Sequence, residues 1–475
     1  MHDREEQLAD CGGGRARQAR QKRLGRLLAR ERVAALLDEG SFTELGRYLR
    51  HDHQHSTVLA ANRHVGDGLI CGLGAIDGRA VAVYAHDPTV LRGSVGEFGA
   101  RKLCRLLDLA LARKLPVVAM VDSDGARILE GIASVQANGE ILTRLARLRG
   151  HVPMVTLAHG LCVGAGAYAA ALSDLVGMVE ARSFLFVTGP KVTAVATGES
   201  VDIERLGGVS MHTTRSGQCH QAVDDDEAGI AWIKRAMSYL TPRVACDDPI
   251  ERADDLSALP LAAHRRVYDM GVVLDAVLDR GSMLPTAAAF APNLLTGFAR
   301  LNGRSVAYLA NQPKRAAGAL DVHASLKGAR HLKLARSWGL PVVTLVDVPG
   351  FMPGHVQEAA GLLPFGADLL SAYAQLDTPS VCLVVRKSYG GASLMSFQAQ
   401  VRLAFPDAVV APTGVDTLLE VEGHSGEARE QARAMWAAQV GDIWSAAHAG
   451  YIDQVVLPSQ ARQALARALD SLDTL

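Results

Sequence analysis

Apolar positions along this chain switch between two periods, and the switches mark out its elements. Residues 23–40, RLGRLLARERVAALLDEG, carry Leu24, Leu27, Leu28, Val33, Leu36 and Leu37 at spacings of three and four. That spacing predicts a helix stopped by Gly40. From Gly68 the pattern turns to strands, with Asp77-Gly78 as a hairpin turn. Residues 92–115 read as a turn followed by a helix, and 116–121 as a buried strand ending in a glycine turn. Residues 152–158 form a short apolar run of the kind that makes a buried strand. A small-residue turn follows at 160–166, and then an Ala-rich helix start at 167–172. Residues 184–199 add a strand, a Gly189-Pro190 turn and a helix, and 224–240 a further helix. Residues 241–261, rich in Pro and Asp, read as a boundary between halves.

The second half repeats the first. Gly78, Pro116, Asp122 and Gly125 recur as Gly303, Pro341, Asp347 and Gly350, at a constant offset of 225. Hairpin strands, helices and further strands alternate in each copy, which predicts two similarly folded α/β domains.

The turn at 160–166 carries the candidate chemistry. A strand turning sharply into a helix leaves the first helical N–H groups without partners, and these donors favour negative charge. We read the Gly164 and Ala165 amides as an oxyanion hole. The alternative is a tight turn whose glycines serve packing alone. The repeat weighs against that alternative, because a second apolar strand at 380–385 runs into Tyr389-Gly390-Gly391-Ala392. Two amide-lined turns suit a reaction in which two oxyanions develop, such as a thioester enolate and a ureido or carboxylate oxygen.

Composition narrows the field. A chain of 475 residues with a net charge of −1 holds two or three domains, and nucleic acid is not its expected partner. Seven scattered cysteines with no C-x-x-C pair predict free thiols in a reducing compartment, and the charged start MHDREEQLAD shows no signal peptide. A cytoplasmic location is expected. The uncharged stretch from Val152 is broken by Pro153, His159 and glycines, so no membrane span is expected. Residues 1–22 read as a flexible tail, with the domains at 23–250 and 251–475. His51, His53 and His55 read as a solvated loop, because no carboxylate or cysteine ligand set accompanies them. No metal is expected.

The motifs LLARERVAALLDEGSF, GSVGEFGARK, DSDGARILEG, CVGAGAYAAALSD, FVTGP, LGGVSMHTTRSG, GFARLNGR, ANQP, LVDVPGFMPG and RKSYGGA span about residues 23–469. With them the chain resembles the carboxyltransferase (β) subunits of biotin-dependent acyl-CoA carboxylases, of the propionyl-CoA carboxylase type. The resemblance implies two tandem crotonase-like (ClpP/crotonase) domains of spiral ββα units. It implies a homo-oligomer, a trimer of dimers, with each active site between the first domain of one subunit and the second of its mate. It implies transfer of a carboxyl group between carboxybiotin and the α-carbon of an acyl-CoA, with no side-chain base. Gly164 and Ala165 would then hold the thioester oxygen, and Gly391 and Ala392 the biotin oxygen. Asp124, Gly125, Ala126, Arg127, Gly166, Tyr389, Gly390 and Leu394 would line the substrate.

The chain has no biotinylation motif and no ATP-binding half, so biotin is expected on a separate biotin carboxylase or carboxyl carrier subunit. The acyl group is expected on CoA or an acyl carrier protein. His159, His212, His220 and Asp347 read as structural rather than as bases. Arg101 and Lys102 read as solvated charges in preference to contacts with CoA phosphates.

Several positions depart from the family pattern. Ala165 stands where a second glycine is usual, and Asp124 stands in the SGGAR turn with Arg127 as its nearest counter-charge in sequence. Leu394 replaces an Asp or Ile linked to acyl preference. Pro364-Phe365 replaces a basic pair, and GVDTLLEVEG replaces a glycine-rich segment. These leave open a decarboxylase or transcarboxylase on the same fold, or a non-catalytic paralogue that assembles with an active carboxylase.

Overall fold

The computed structural model describes residues 2–53, 56–256, 258–261, 266–439 and 442–473. The chain divides into two compact units, Met1–Ser238 and Tyr239–Leu475. This division falls ahead of the boundary expected at 250/251. The reason is local: the Pro- and Asp-rich segment is already paired with the second unit's hairpin. Val244 donates its N–H to Gly303 O at 3.0 Å, and Ser305 to Pro242 O at 2.8 Å.

In the first unit the strands are β1 (Thr43–Glu44), β2 (Leu69–Ile76), β3 (Arg79–His86), β4 (Val117–Ser123), β5 (Met154–Val163), β6 (Leu175–Val179), β7 (Phe184–Phe186) and β8 (Gln221–Val223). They form one sheet in the order β1-β2-β3-β4-β5-β6-β8, with β7 beside β5. The β2–β3 hairpin is antiparallel, and β3 to β6 then pair in parallel. The hairpin turn needs positive φ at both central residues, and Asp77 and Gly78 have φ of 48° and 76°.

The second unit repeats this with β9 (Leu284–Pro285), β10 (Leu294–Leu301), β11 (Arg304–Asn311), β12 (Val342–Val348), β13 (Ser380–Tyr389), β14 (Val401–Ala404), β15 (Val409–Ala411) and β16 (Gln454–Val455). Its sheet order is β16-β14-β13-β12-β11-β10-β9, with β15 beside β13. The repeat extends to the backbone. Leu91, Arg92 and Gly93 all have positive φ, and so do Ala316, Ala317 and Gly318, which lie 225 residues later. Each unit buries its own core of strand and helix side chains.

Two expectations are corrected near the N-terminus. Residues 2–23 are not a loose tail: they form helices His2–Cys11 and Arg15–Arg23. Gly13 packs so closely on Thr89 that an added Cβ would lie 1.8 Å from the Thr89 carbonyl oxygen, and its N–H donates to Thr89 Oγ1 at 2.9 Å. The helix expected over 23–40 is confined to Ala29–Leu36, because the chain breaks at Leu24-Gly25 and is already extended at Leu37. Leu24, counted as a core position, is 56 % exposed.

Candidate active site

Both middle strands carry the same irregularity just before their turns. Val121 pairs with Ala158, but Ser123 pairs with Cys162, so β5 bulges by two extra residues opposite Asp122. In the second unit Val346 pairs with Val384 and Val348 with Ser388, a matching bulge opposite Asp347. A bulge of this kind re-aims the end of a strand.

β5 ends at Val163, and the helix Ala165–Ala171 starts from Gly164, whose φ of +54° only glycine adopts readily. The Gly164 N–H is not free, because it donates to Phe186 O at 3.1 Å. Gly164 therefore turns the chain, and its N–H is spent on β7. The amides of Ala165, Gly166 and Ala167 precede the first bond of this helix, Tyr168 N–H to Gly164 O at 3.1 Å, and Ala165 and Gly166 are the two nearest the turn. In the second unit Gly390 takes the turning position with φ +60°, and the single turn Gly390–Ser393 follows. Gly164 thus corresponds to Gly390, Ala165 to Gly391 and Gly166 to Ala392. The pair at the place of Gly391-Ala392 is Ala165-Gly166, one residue later than the Gly164-Ala165 pair expected. Gly391 is exposed, and a Cβ there would meet only the Phe351 ring, at 3.7 Å. Ala392 is buried, while Tyr389 and Leu394 flank the turn half-buried. Burial, reinforced by Asp347, pushes the Tyr389 hydroxyl up to about 12.

The loop Asp124–Arg127 lies against the first turn. A Cβ on Gly125, whose φ is +83°, would come within 2.6 Å of Val163 O and 3.8 Å of the Ala165 nitrogen. Ala126 bridges to Val95. Arg127 is 2 % exposed and reaches away from the loop to Asp67 Oδ1 at 2.6 Å and Glu130 Oε1 at 2.9 Å. It is a buried structural hub and does not pair with Asp124. Asp124 pairs instead with Arg92, Nε to Oδ2 at 2.5 Å. The pattern of turn residues gave no signal for Arg92.

A cavity of about 1040 Å³ opens beside this loop and is reached by Val163 and Phe186. Its cations are Arg17, Arg20, Arg92 and Lys191, together with the paired Arg127. Arg17 and Arg20 sit one turn apart on the helix Arg15–Arg23, which has no apolar face, so no periodicity in the sequence marks them.

The histidines are committed elsewhere. His159 is fully buried, with Nδ1 2.7 Å from Asp226 Oδ1. Burial, with the neighbouring Arg32 charge, lowers its pKa to about 4 despite Asp226. Burial opposes ionisation of Asp226, but the His159 hydrogen bond and Arg32 hold its carboxyl well below the usual carboxylate range. His212 bridges Leu185 O and Ser216 Oγ, each at 2.8 Å, and His220 Nδ1 accepts from Val176 N–H at 3.1 Å. Asp347 pairs with Arg386 at 3.0 Å. Lys102 is not a solvated charge: it is 5 % exposed, whereas Arg101 is exposed and pairs with Glu97. His51 lies 3.2 Å from Asn62 O, His53 lies 3.4 Å from Glu130, and His55 falls outside the described residues. Among the described residues no group of three or more His, Cys, Asp or Glu is placed to hold a metal ion. No helix there is long and apolar enough to cross a membrane.

Two α/β units in tandem, each with a bulged middle strand feeding an amide-lined turn, have the crotonase-like architecture of carboxyltransferases. The chain belongs to the carboxyl transferase domain family, which it matches over residues 20–474. It is 39 % identical to a propionyl-CoA carboxylase carboxyltransferase subunit of Haloferax mediterranei, over 97 % of this chain and 93 % of that protein. It is 38 % identical to a propionyl-CoA carboxylase beta chain of Saccharopolyspora erythraea, over 99 % and 92 %. Among solved structures, transcarboxylase 12S, a hexamer with methylmalonyl-coenzyme A and methylmalonic acid bound, matches with a TM-score of 0.95 and 34 % identity. That match covers 100 % of this chain and 96 % of the other.

Proposed function

We propose that this chain transfers a carboxyl group between biotin, carried on a separate protein, and the α-carbon of an acyl-CoA thioester through an enolate. The observation that carries this reading is the duplicated turn. Each unit offers two consecutive amides, on small residues, just past the end of a bulged strand. Ala165 and Gly166 suit the thioester oxygen, and Gly391 and Ala392 the biotin ureido oxygen. Donors fixed in advance stabilise developing charge without solvent reorganisation. The exposed Gly391 amide beside the Phe351 ring fits a flat ureido group. Carboxylated biotin, when bound, supplies the carbon dioxide. The commitments of His159, His212, His220 and Asp347 support a reaction in which the protein contributes donors and positioning, not a base.

The cationic rim of the cavity, Arg17, Arg20 and Lys191, suits the phosphates of CoA. The partners that follow are a biotin carboxylase and biotin carboxyl carrier subunit, and further copies of this chain as a trimer of dimers. The described cysteines are free thiols, which supports a reducing, cytoplasmic setting. The transcarboxylase likeness favours one second reading, exchange of carboxyl groups between two acyl substrates without ATP.

Two variants test the proposal. Gly391→Val blocks approach to the turn, and Ala392→Pro removes one N–H. Both are expected to lower label transfer from bicarbonate at least about a hundredfold. Thioester affinity by calorimetry should stay near that of the parent, with the fold checked by circular dichroism. Normal turnover in both variants would reduce Gly390–Ser393 to a structural turn. Turnover without ATP or bicarbonate would favour the transcarboxylase reading. Light scattering that finds a monomer at micromolar concentration would remove the oligomer.

A further inference from the structure

Arg92 and Asp124 form an ion pair on the wall of the cavity described above. The pair is side-on: Nε lies 2.5 Å from Oδ2, and Nη2 donates to Oδ1 at 3.2 Å. The backbone joins the two loops as well, with the Asp124 N–H donating to Arg92 O at 3.2 Å. Nη1 is left over. The Arg92 side chain is 75 % exposed and that of Asp124 is 31 % exposed, so the guanidinium stands out from its carboxylate into the cavity.

The fold does not require this pair. The corresponding residues of the second unit, 225 positions later, are Ala317 and Pro349, and that unit builds the same loop without charge. Ala317 has φ +53° and Arg92 has φ +57°, so the chain carries a long charged side chain at a position that favours glycine. The location is specific. Asp124 adjoins Gly125, whose added Cβ would lie 3.8 Å from the Ala165 nitrogen. A thioester oxygen on that amide would lie beside the loop whose Asp124 holds Arg92. The CoA phosphates have other cations available in Arg17, Arg20 and Lys191.

We propose that Arg92, oriented by Asp124, is a specificity-determining residue that selects thioesters whose acyl chain ends in a carboxylate. This rests on the acyl-CoA reading above. Asp124 uses one edge of the guanidinium and fixes its plane, and the remaining N–H groups face the cavity as a carboxylate fork. Asp124 is thus a positioning residue.

The test is calorimetric binding of glutaryl-CoA and pentanoyl-CoA, which have equal chain length, to the full chain. The parent protein is expected to bind glutaryl-CoA roughly tenfold tighter. Arg92→Ala and Arg92→Gln should erase that preference and leave pentanoyl-CoA affinity unchanged. Arg92→Lys should retain part of it, since a point charge lacks the fork. Asp124→Asn should weaken glutaryl-CoA binding only. Equal binding of the two thioesters by the parent overturns the proposal while leaving the acyl-CoA reading intact. Equal weakening of both by Arg92→Ala also overturns it and assigns Arg92 to the CoA phosphates; 3′-dephospho-CoA thioesters would then be insensitive to the variant. If neither thioester binds the parent, the acyl-CoA reading falls and this inference falls with it.

Discussion

The two units bury an aspartate at the same point and supply its counter-charge from different places. Asp122 and Asp347 each lie opposite a two-residue bulge. In the second unit the cation is in the bulge itself: Arg386 Nε is 3.0 Å from Asp347 Oδ2, and Lys387 stands 3.8 Å away. In the first unit the position of Arg386 is Gly160, where even a Cβ would lie 2.3 Å from Asp122 Oδ1. The cations come instead from the N-terminal segment, Arg26 and Arg32, each 3.9 Å from Asp122 Oδ2. Arg32 is shared, since its Nε also lies 3.4 Å from Asp226. The bulge is kept in both units because it aims the turn that carries the donors. The source of charge is free to vary. That also explains why residues before β1 belong to the first unit's core.

The largest effect follows from the sharing. Arg32 is 0 % exposed and Arg386 1 %, and removing one partner of a buried pair costs roughly 3–5 kcal/mol. Arg32→Met weakens two acids at once, leaving Asp122 with Arg26 and Asp226 with its His159 and Leu27 hydrogen bonds, whereas Arg386→Met affects Asp347 alone and leaves it with Lys387 nearby. Arg32→Met is expected to cost more, at or above that range, with Arg386→Met at its lower end. Urea unfolding with hydrogen exchange resolved by unit measures both. A greater cost for Arg386→Met would break the account of Arg32 as a shared cation.

Much of this architecture is legible in the sequence, for reasons of geometry. The offset of 225 holds because hairpin turns and strand ends need particular residues at fixed spacing. Asp77-Gly78 and Asn302-Gly303 both occupy positive φ. The register of the donors was not legible. A strand–turn–helix pattern locates the turn to within a residue, but whether Gly164 donates outward or to Phe186 O depends on β7 pairing beside it. Side-chain partners were less legible still. Arg127 is three residues from Asp124 and turns away to Asp67, which lies 60 residues distant in sequence, while Asp124 meets Arg92, 32 residues away. Long-range ion pairs leave no periodic trace.

The second prediction uses acid. His159 has no titrating counterpart, because the residue in the same place in the second unit is Val385. Folded His159 stays neutral down to about pH 4, whereas an unfolded histidine protonates near 6.5. Between those values the unfolded chain binds the extra proton, so stability present above about 6.5 is lost as the pH falls through 4. Asp226, held below the usual range, extends the loss to lower pH. Burial raises Asp122 and Asp347 in the same direction, so each acts with the opposite sign to His159 in its own unit. The first unit should therefore lose about 2–3 kcal/mol more than the second across this window. His86, also buried and lowered to about 4, is replaced by Asn311 in the second unit and adds a similar loss, so His159→Val should remove only about half of the difference. Equal acid sensitivity of the two units by hydrogen exchange would show that His159 is not its source.

The smallest effect concerns two buried lysines at the same offset, Lys102 and Lys327. Burial lowers the pKa of both, that of Lys327 to about 7. Their partners differ. Lys327 Nζ donates to Leu294 O at 2.7 Å, Phe290 O at 2.8 Å and Ala291 O at 3.4 Å, tying the loop before β10 to the helix Val322–Ser337. Lys102 Nζ is buried and has no hydrogen-bond partner among the described residues. Removing a donor that serves carbonyls already out of water costs roughly 1–3 kcal/mol, and removing an unsatisfied one costs little. Lys327→Met is therefore expected to destabilise by about that amount, while Lys102→Met should be near neutral or stabilising. The sign of the second result is the informative one. A loss from Lys102→Met as large as that from Lys327→Met would mean that the charge itself, acting on Cys71, Glu44 and Asp67, is what the first unit uses.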